Sequence, residues 1–487
     1  MLSISAIRKA ISNRIGQMRG TDIKAKSARA IVKLSVGTVA GRSVRFIKSM
    51  LLARILAPDQ IGLMALVWSF SMAFEALTEV GVKQSIIQNK QGAHADYLNV
   101  AWWMQMVRGL CLFGIAVFLA PWVSSFYEYP ELLNLLRVSF IAIVLNGLVS
   151  PRIYVLEKEY QFGRAVLLIQ GSAILSAIIT ICLALVMRNV WALVIGCVIE
   201  KAFLAVFSFL LVPFLPRFRF DRKSLSELLK FSRGIVGLPI LTAISFQAPT
   251  LILGKVISSY QLGLYSLASL LSYIPTDLYS RIITPILLPA FSEKQDDKRA
   301  LCRGLLRTTR YTAFLIVPLI AFMVCFSREL LGIVYGSQYV AMAVPFTILC
   351  LEILARSEAS VFTGMYMAVG KPHLQRRFST VRAVIITMFI YPAAVYFGPI
   401  GAVIVIVLGN YLVLLQQVLK ARKVFDLKLS RYMRSYIHGL LTALPVIVVF
   451  SLLWLFKIDS SIWVISIGIS VLIVTYSASL YIMNRPK

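Results

Sequence analysis

Arg42, Arg45 and Lys48 recur at three-residue intervals inside an apolar segment, residues 31–56, that is long enough to cross a membrane. A basic side chain at the centre of a spanning helix costs about 2.5–3.5 kcal/mol on insertion scales. Three of them facing lipid would oppose insertion, so they are expected to face a bundle interior or water. At about 100° per residue they form a slowly turning stripe on one side of the helix. A low-dielectric cleft lined by one sign of charge attracts anions. The planar fork of arginine suits phosphate, to which it donates paired hydrogen bonds. Arg281 and Arg356, in later apolar segments, are candidates for the same field.

The acids in the apolar segments are few. Glu75 and Glu79 lie one turn apart on one face of the second segment. Asp277 with Arg281, and Glu352 with Arg356, are pairs at i,i+4 with the acid first, the favourable order. Glu200 and Lys201 are adjacent in the middle of another segment. Each acid supports two readings: structural pairing with a base, or the protonatable or cation-binding carboxylate that ion coupling needs. Pairing is favoured for Arg356 and Lys201. A cavity role is favoured for Arg42, Arg45 and Lys48, because their own helix contains no acid.

These groups must be held by a membrane bundle. Of 487 residues, 59% are hydrophobic and only 15% charged, against roughly 45–50% apolar in a soluble domain. The formal net charge of +29 would suggest nucleic acid in a soluble chain. Here most of the loop charge sits in short connections, as the positive-inside rule requires, and no nucleic-acid partner is predicted. The six cysteines are scattered without a CxxC, and the three histidines lack metal-ligand spacing. No catalytic residue, metal or cofactor is predicted, and no cleavable signal peptide.

Residues 1–30 carry Ile4, Ile7, Ile11, Ile15 and Met18 as an apolar stripe among basic residues. Such a segment reads as an amphipathic helix on anionic lipid or as a basic tail that fixes topology. About fourteen spans follow: 31–54, 61–80, 98–120, 132–156, 165–187, 190–213, 229–253, 262–290, 308–328, 338–369, 378–397, 399–419, 435–456 and 461–483. With the N-terminus inside, the basic loops at 217–223, 294–310, 371–377 and 420–434 are all cytoplasmic, as is the C-terminus. Glycines 37 and 41 are expected to loosen the first span. Pro239 and Pro249 are expected to interrupt the seventh, and Pro275, Pro285 and Pro289 the eighth.

An internal repeat sets the architecture. Residues 51–66 line up with 251–267, placing Gln60, Gly62 and Leu63 on Gln261, Gly263 and Leu264. The period holds an even number of spans, so the copies run parallel, related by an axis along the membrane normal. In this register Glu79 falls beside Ser280 and Val80 on Arg281, so the first copy carries acid where the second carries base. The expected fold is all-α: two pseudo-symmetric six-helix lobes, 31–216 and 231–423, joined by a cytoplasmic linker, 217–230, and followed by a helix pair, 424–487. The lobes would enclose the cavity that receives the basic stripe.

"LARILAPDQIGLMAL" (52–66), "LTEVGVKQSIIQ" (77–88) and "WALVIG" (191–196) resemble the polysaccharide-transporter branch of the multidrug/oligosaccharidyl-lipid/polysaccharide superfamily, above all its colanic-acid and exopolysaccharide exporters. The resemblance spans nearly the whole chain. It implies a cationic cavity, alternating access, and a polyprenyl-pyrophosphate-linked oligosaccharide repeat unit moved from the cytoplasmic to the periplasmic leaflet of the inner membrane, for exopolysaccharide or lipopolysaccharide synthesis. The pyrophosphate would bind Arg42, Arg45, Lys48 and Arg281. Glu75, Glu79, Asp277, Glu352 and Arg356 would serve ion coupling or pairing. Further implied partners are anionic lipid and a polysaccharide polymerase with its export machinery. Two runners-up share the superfamily: a cation-coupled multidrug exporter, disfavoured by the cationic cavity, and a murein-precursor flippase. A membrane glycosyltransferase or polymerase would want a large outer loop with paired carboxylates, which these short loops do not offer.

Overall fold

A computed structural model describes residues 23–78, 81–159, 161–217, 221–235, 238–456 and 461–483. Among the described residues all regular structure is helical. The first half holds α1 (Ile23–Ile55), α2 (Pro58–Leu77), α3 (Val82–Gln88), α4 (Ala95–Tyr127), α5 (Glu131–Ser139), α6 (Ile141–Leu148), α7 (Arg152–Lys158), α8 (Phe162–Met187), α9 (Trp191–Leu211) and α10 (Arg222–Ile235). The second holds α11 (Leu238–Val256), α12 (Ser259–Ser292), α13 (Lys298–Cys325), α14 (Ser327–Val334), a 3-10 turn (Ser337–Met342), α15 (Ala343–Ala368), α16 (Pro372–Phe425), α17 (Leu429–Arg434), α18 (Ile437–Leu455) and α19 (Ser461–Met483). By contacts the chain divides into a first unit, Met1–Leu52 with Phe74–Gly237, and a second, Ala53–Ala73 with Leu238–Lys487.

The protein is a multi-pass membrane protein. Eight described helical stretches are long and apolar enough to span; the figure of about fourteen remains an expectation. Two span boundaries fall where the sequence places them. Arg188, in the left-handed region at φ 48°, ends α8. Gly398, at φ 58° and ψ −147°, breaks α16 between residues 397 and 399. That backbone conformation is open to glycine and closed to residues with a Cβ.

Other expectations are corrected. The span at 132–156 is shorter than expected: α5 and α6 together make the apolar stretch Glu131–Leu148, and the chain breaks at Pro151 before the separate α7. The broken ends are satisfied by side chains, as apolar surroundings demand. The Trp102 indole N–H donates to the Leu148 carbonyl at 3.0 Å. The Ser150 N–H donates to Ser208 Oγ at 2.9 Å. Conversely, α12 runs unbroken through Pro275, Pro285 and Pro289, since a proline removes only one backbone donor and a packed helix can continue past it. The glycines of α1 serve closeness rather than looseness. A Cβ on Gly37 would collide with Val166, and one on Gly41 with Gln170. The pair at i,i+4 is a small-residue face on which α1 lies against α8.

At the repeated turn the helix limits of the two copies match. With Gly62 on Gly263, the ends of α1 and α11 coincide, Ile55 on Val256, and so do the starts of α2 and α12, Pro58 on Ser259. The two starts use different chemistry. Pro58 sits in the first helical turn, where its missing N–H costs nothing. Ser258 caps α12, its side chain accepting from the Gln261 N–H at 3.3 Å. Within the second unit the copies touch reciprocally. A Cβ on Gly62 would overlap the Ser259 carbonyl, and one on Gly263 the Pro58 carbonyl, each 3.0 Å from the other glycine's nitrogen.

Candidate functional site

In the first unit the basic stripe continues the glycine face of α1. Positions 41, 45 and 48 fall within about 60° of one another around the helix axis. This face meets α9. Arg45 Nη2 lies 3.8 Å from Glu200 Oε1, with the two side chains 36% and 32% exposed. Glu200 also acts electrostatically on Lys48. The acid opposite the stripe therefore comes from another helix, a partner that inspection of α1 alone misses. Its signal was present: a mid-span carboxylate needs a cation within reach. The expected partner of Glu200, Lys201, instead reaches Asn146 Oδ1 at 3.3 Å. The Arg45 pair is long and about one-third exposed, a geometry worth about 0–1 kcal/mol. Its guanidinium keeps donors for a ligand.

Glu75 lines a cavity of about 130 Å³ together with Lys83, Gln105, Arg108, Asn146 and Tyr154. Arg108 closes the end of α2, donating from Nη2 to the Glu75 carbonyl at 2.6 Å and from Nε to Thr78 Oγ1 at 2.9 Å. Cationic groups thus answer the last carbonyls of that helix, where its dipole is negative. Glu79 lies outside the described residues, and of Arg281 only the helical backbone is described.

The second unit holds a tighter cluster. Glu352 is 3% exposed. Its Oε1 accepts from Arg356 Nη1 at 3.0 Å and from Asn410 Nδ2 at 2.9 Å. The expected pair of α15 is present, with Asn410 of α16 as a third member. The Arg356 guanidinium lies 4.3 Å from the Phe246 ring centroid and 4.6 Å from that of Tyr273, which holds its plane by cation–π attraction. Asp277 sits on α12, one turn beyond Tyr273. A second arginine, Arg382, lies 5.5 Å from the Phe246 centroid. Sequence pattern did not mark it, because its neighbours come from α11, α12 and α15 rather than from its own helix. Glu358, two turns beyond Glu352, is fully buried and accepts from Thr309 Oγ1 at 2.9 Å and the Tyr432 hydroxyl at 3.3 Å.

Residues 51–344 match the model of a family described as polysaccharide biosynthesis protein. The chain belongs to that family. It is 22% identical over 426 residues to the lipopolysaccharide biosynthesis protein WzxC of Escherichia coli (strain K12), covering 85% of each chain. It is 23% identical over 384 residues to the succinoglycan biosynthesis transport protein ExoT of Rhizobium meliloti (strain 1021), covering 79% of this chain and 76% of that one. Its fold is similar to that of the lipid II flippase MurJ in an inward closed conformation, with a TM-score of 0.76 at 14% identity over 93% of this chain and 98% of that one. The resemblance read from the short motifs holds at the level of family and fold. The kin and fold are those of transporters in polysaccharide synthesis, as expected, not of enzymes.

Proposed function

We propose that this chain carries a polyprenyl-pyrophosphate-linked oligosaccharide repeat unit from the cytoplasmic to the periplasmic leaflet by alternating access. The observation that carries the reading is the basic face of α1. Arg45 and Lys48 sit inside a membrane helix and share one loosely held carboxylate, Glu200. Cationic excess in a low-dielectric site favours a polyanion, and a pyrophosphate supplies one. Arg42, one turn before Arg45 on α1, extends the same site. The membership of the family and the transport named for its relatives support the same substrate class. A cationic drug would be repelled by this face.

The inner membrane is the site of action, with both termini cytoplasmic. The basic connections at 294–310 and 420–434 support that orientation. A polysaccharide polymerase that consumes the flipped unit is the partner the reaction requires. The direct test is translocation of a fluorescent polyprenyl-pyrophosphate oligosaccharide in vesicles holding the purified chain. Protein-dependent exposure of the label to an impermeant quencher is expected. Equal exposure in protein-free vesicles would remove the proposal. Labelling of a cysteine placed at Gln295 from outside intact cells would overturn the orientation.

A further inference from the structure

At the Cys325 end of α13, away from the basic loop that precedes that helix, a cavity of about 580 Å³ lies among α13, α14, α15, α18 and α19 of the second unit. That volume falls in the range of small-molecule sites, roughly 300–1,000 Å³. One wall is apolar, with Val344, Phe450, Leu453 and Trp454. Val344 is 57% and Trp454 76% exposed, so this wall faces the bilayer. Trp454 stands in the last turn of α18, where tryptophan marks a membrane–water boundary. The other wall is polar: Arg328, which is exposed, and Glu329 come from the first turn of α14. Glu329 Oε2 is buried and has no hydrogen-bond partner among the described residues. At the third helical position its charge suits the helix dipole. The dipole accounts for an acid there, but not for a buried oxygen left without a donor. The far end of α14 is completed by the protein itself, Arg54 donating to the Ile333 carbonyl.

We propose that this cavity holds a resident phospholipid with a primary-ammonium headgroup, of the phosphatidylethanolamine type. Arg328 donates to the phosphate, Glu329 accepts from the ammonium, and an acyl chain lies along Phe450, Leu453 and Trp454. Charge decides the class. One cation beside one unpartnered carboxylate matches a zwitterion. An anionic headgroup would set its own charge against Glu329, and a pyrophosphate more strongly still. Hydrogen bonding decides the headgroup. A choline carries the same charge but no N–H, and leaves the Glu329 oxygen unmet. The lipid joins α13 and α14 to the helix pair α18–α19 across a gap that side chains leave open. The site lies wholly within the second unit and is independent of the cargo. In the orientation proposed above, the lipid belongs to the periplasmic leaflet.

The test is native mass spectrometry of the full-length chain in detergent with three lipids of equal acyl chains: phosphatidylethanolamine, phosphatidylcholine and phosphatidylglycerol. The wild type should bind the first about tenfold more tightly than either of the others, the effect of one charge-assisted hydrogen bond. Glu329→Leu should abolish the preference over phosphatidylcholine. Arg328→Gln should weaken phosphatidylethanolamine and phosphatidylcholine alike, since both carry the phosphate, and leave their ratio unchanged. Equal binding of these two lipids by the wild type would overturn the proposal without any variant. Tighter binding of phosphatidylglycerol would reduce the site to a basic surface at Arg328 and overturn it as well. An undiminished preference in Glu329→Leu would place the lipid elsewhere. Displacement of phosphatidylethanolamine by an equimolar neutral polyprenol would make the cavity a groove for an isoprenoid tail, and the resident lipid would be ruled out.

Discussion

The two charged clusters are built from the same residue types and differ in how tightly they are held. In the first unit, Arg45 and Glu200 stand 3.8 Å apart and are about one-third exposed. In the second, Glu352 is 3% exposed and accepts from both Arg356 and Asn410. A loose, hydrated ion pair contributes little and exchanges partners easily. A dry, hydrogen-bonded one is expensive to break. Glycine contacts follow the same division. On Gly41 an added Cβ meets the flexible end of Gln170; on Gly62 and Gly263 it meets backbone. The first cluster is therefore adjustable, and the second is a fixed frame.

The largest effect should come from removing the acid of the fixed cluster. Glu352→Gln leaves two guanidiniums, Arg356 and Arg382, without their carboxylate and should cost about 3–5 kcal/mol. Little folded protein should remain in the membrane, as read by fluorescence-detected size exclusion. Glu200→Gln should cost about 1 kcal/mol or less. Equal losses in the two variants would erase the contrast.

A smaller effect should follow from the glycines. Gly62→Ala forces two helix backbones apart and should cost about 1–3 kcal/mol, the range for overpacking. Gly41→Ala displaces only the Gln170 side chain and should stay nearly neutral. Thermal unfolding of the two purified variants separates them, and a larger loss in Gly41→Ala would contradict the account.

Legibility in the sequence followed the range of the interactions. Helix pairs such as Glu352 and Arg356 are written at i,i+4, and the turns after residues 187 and 397 are marked by apolar runs meeting a short polar or glycine break. The repeat showed in Gly62 and Gly263 because both must be glycine to touch. Partners from distant helices left no such trace. Glu200 opposite Arg45, and Arg382 beside Phe246, are set by packing across the unit, and periodicity within one helix carries no information about them. The broken span at 132–156 was missed for the same reason: its exposed backbone groups are satisfied by Trp102 and Ser208 from other helices.

The smallest effect concerns a loop outside both clusters. Asp297 caps α13, accepting from the Ala300 N–H at 3.0 Å and the Arg299 N–H at 2.8 Å. Chiefly the Ala300 N–H, with that of Arg299 and the nearby arginines, holds its carboxyl below the ordinary value. Its contribution is full above the ordinary carboxylate pKa and is lost as the pH falls through the lowered folded value. Asp297→Asn, which caps without titrating, should flatten that acid limb of stability slightly. An unchanged acid limb would show that the adjustable and fixed clusters alone set it.

The central claim is that the adjustable cluster holds pyrophosphate. Removing Arg45 forfeits about 1.5–3 kcal/mol of charge-assisted hydrogen bonding, or roughly one to two decades in affinity. It also removes a cation from a spanning helix, so insertion should not suffer. The decisive measurement is translocation of polyprenyl-pyrophosphate oligosaccharide by wild type, Arg45→Lys and Arg45→Ala, with membrane protein level read in the same samples. The account predicts full level in all three, partial transport with lysine, which keeps charge without the fork, and transport reduced by one to two decades with alanine. Normal transport by Arg45→Ala at normal level would contradict it, and so would disappearance of that variant from the membrane, which would make Glu200 the only partner Arg45 serves.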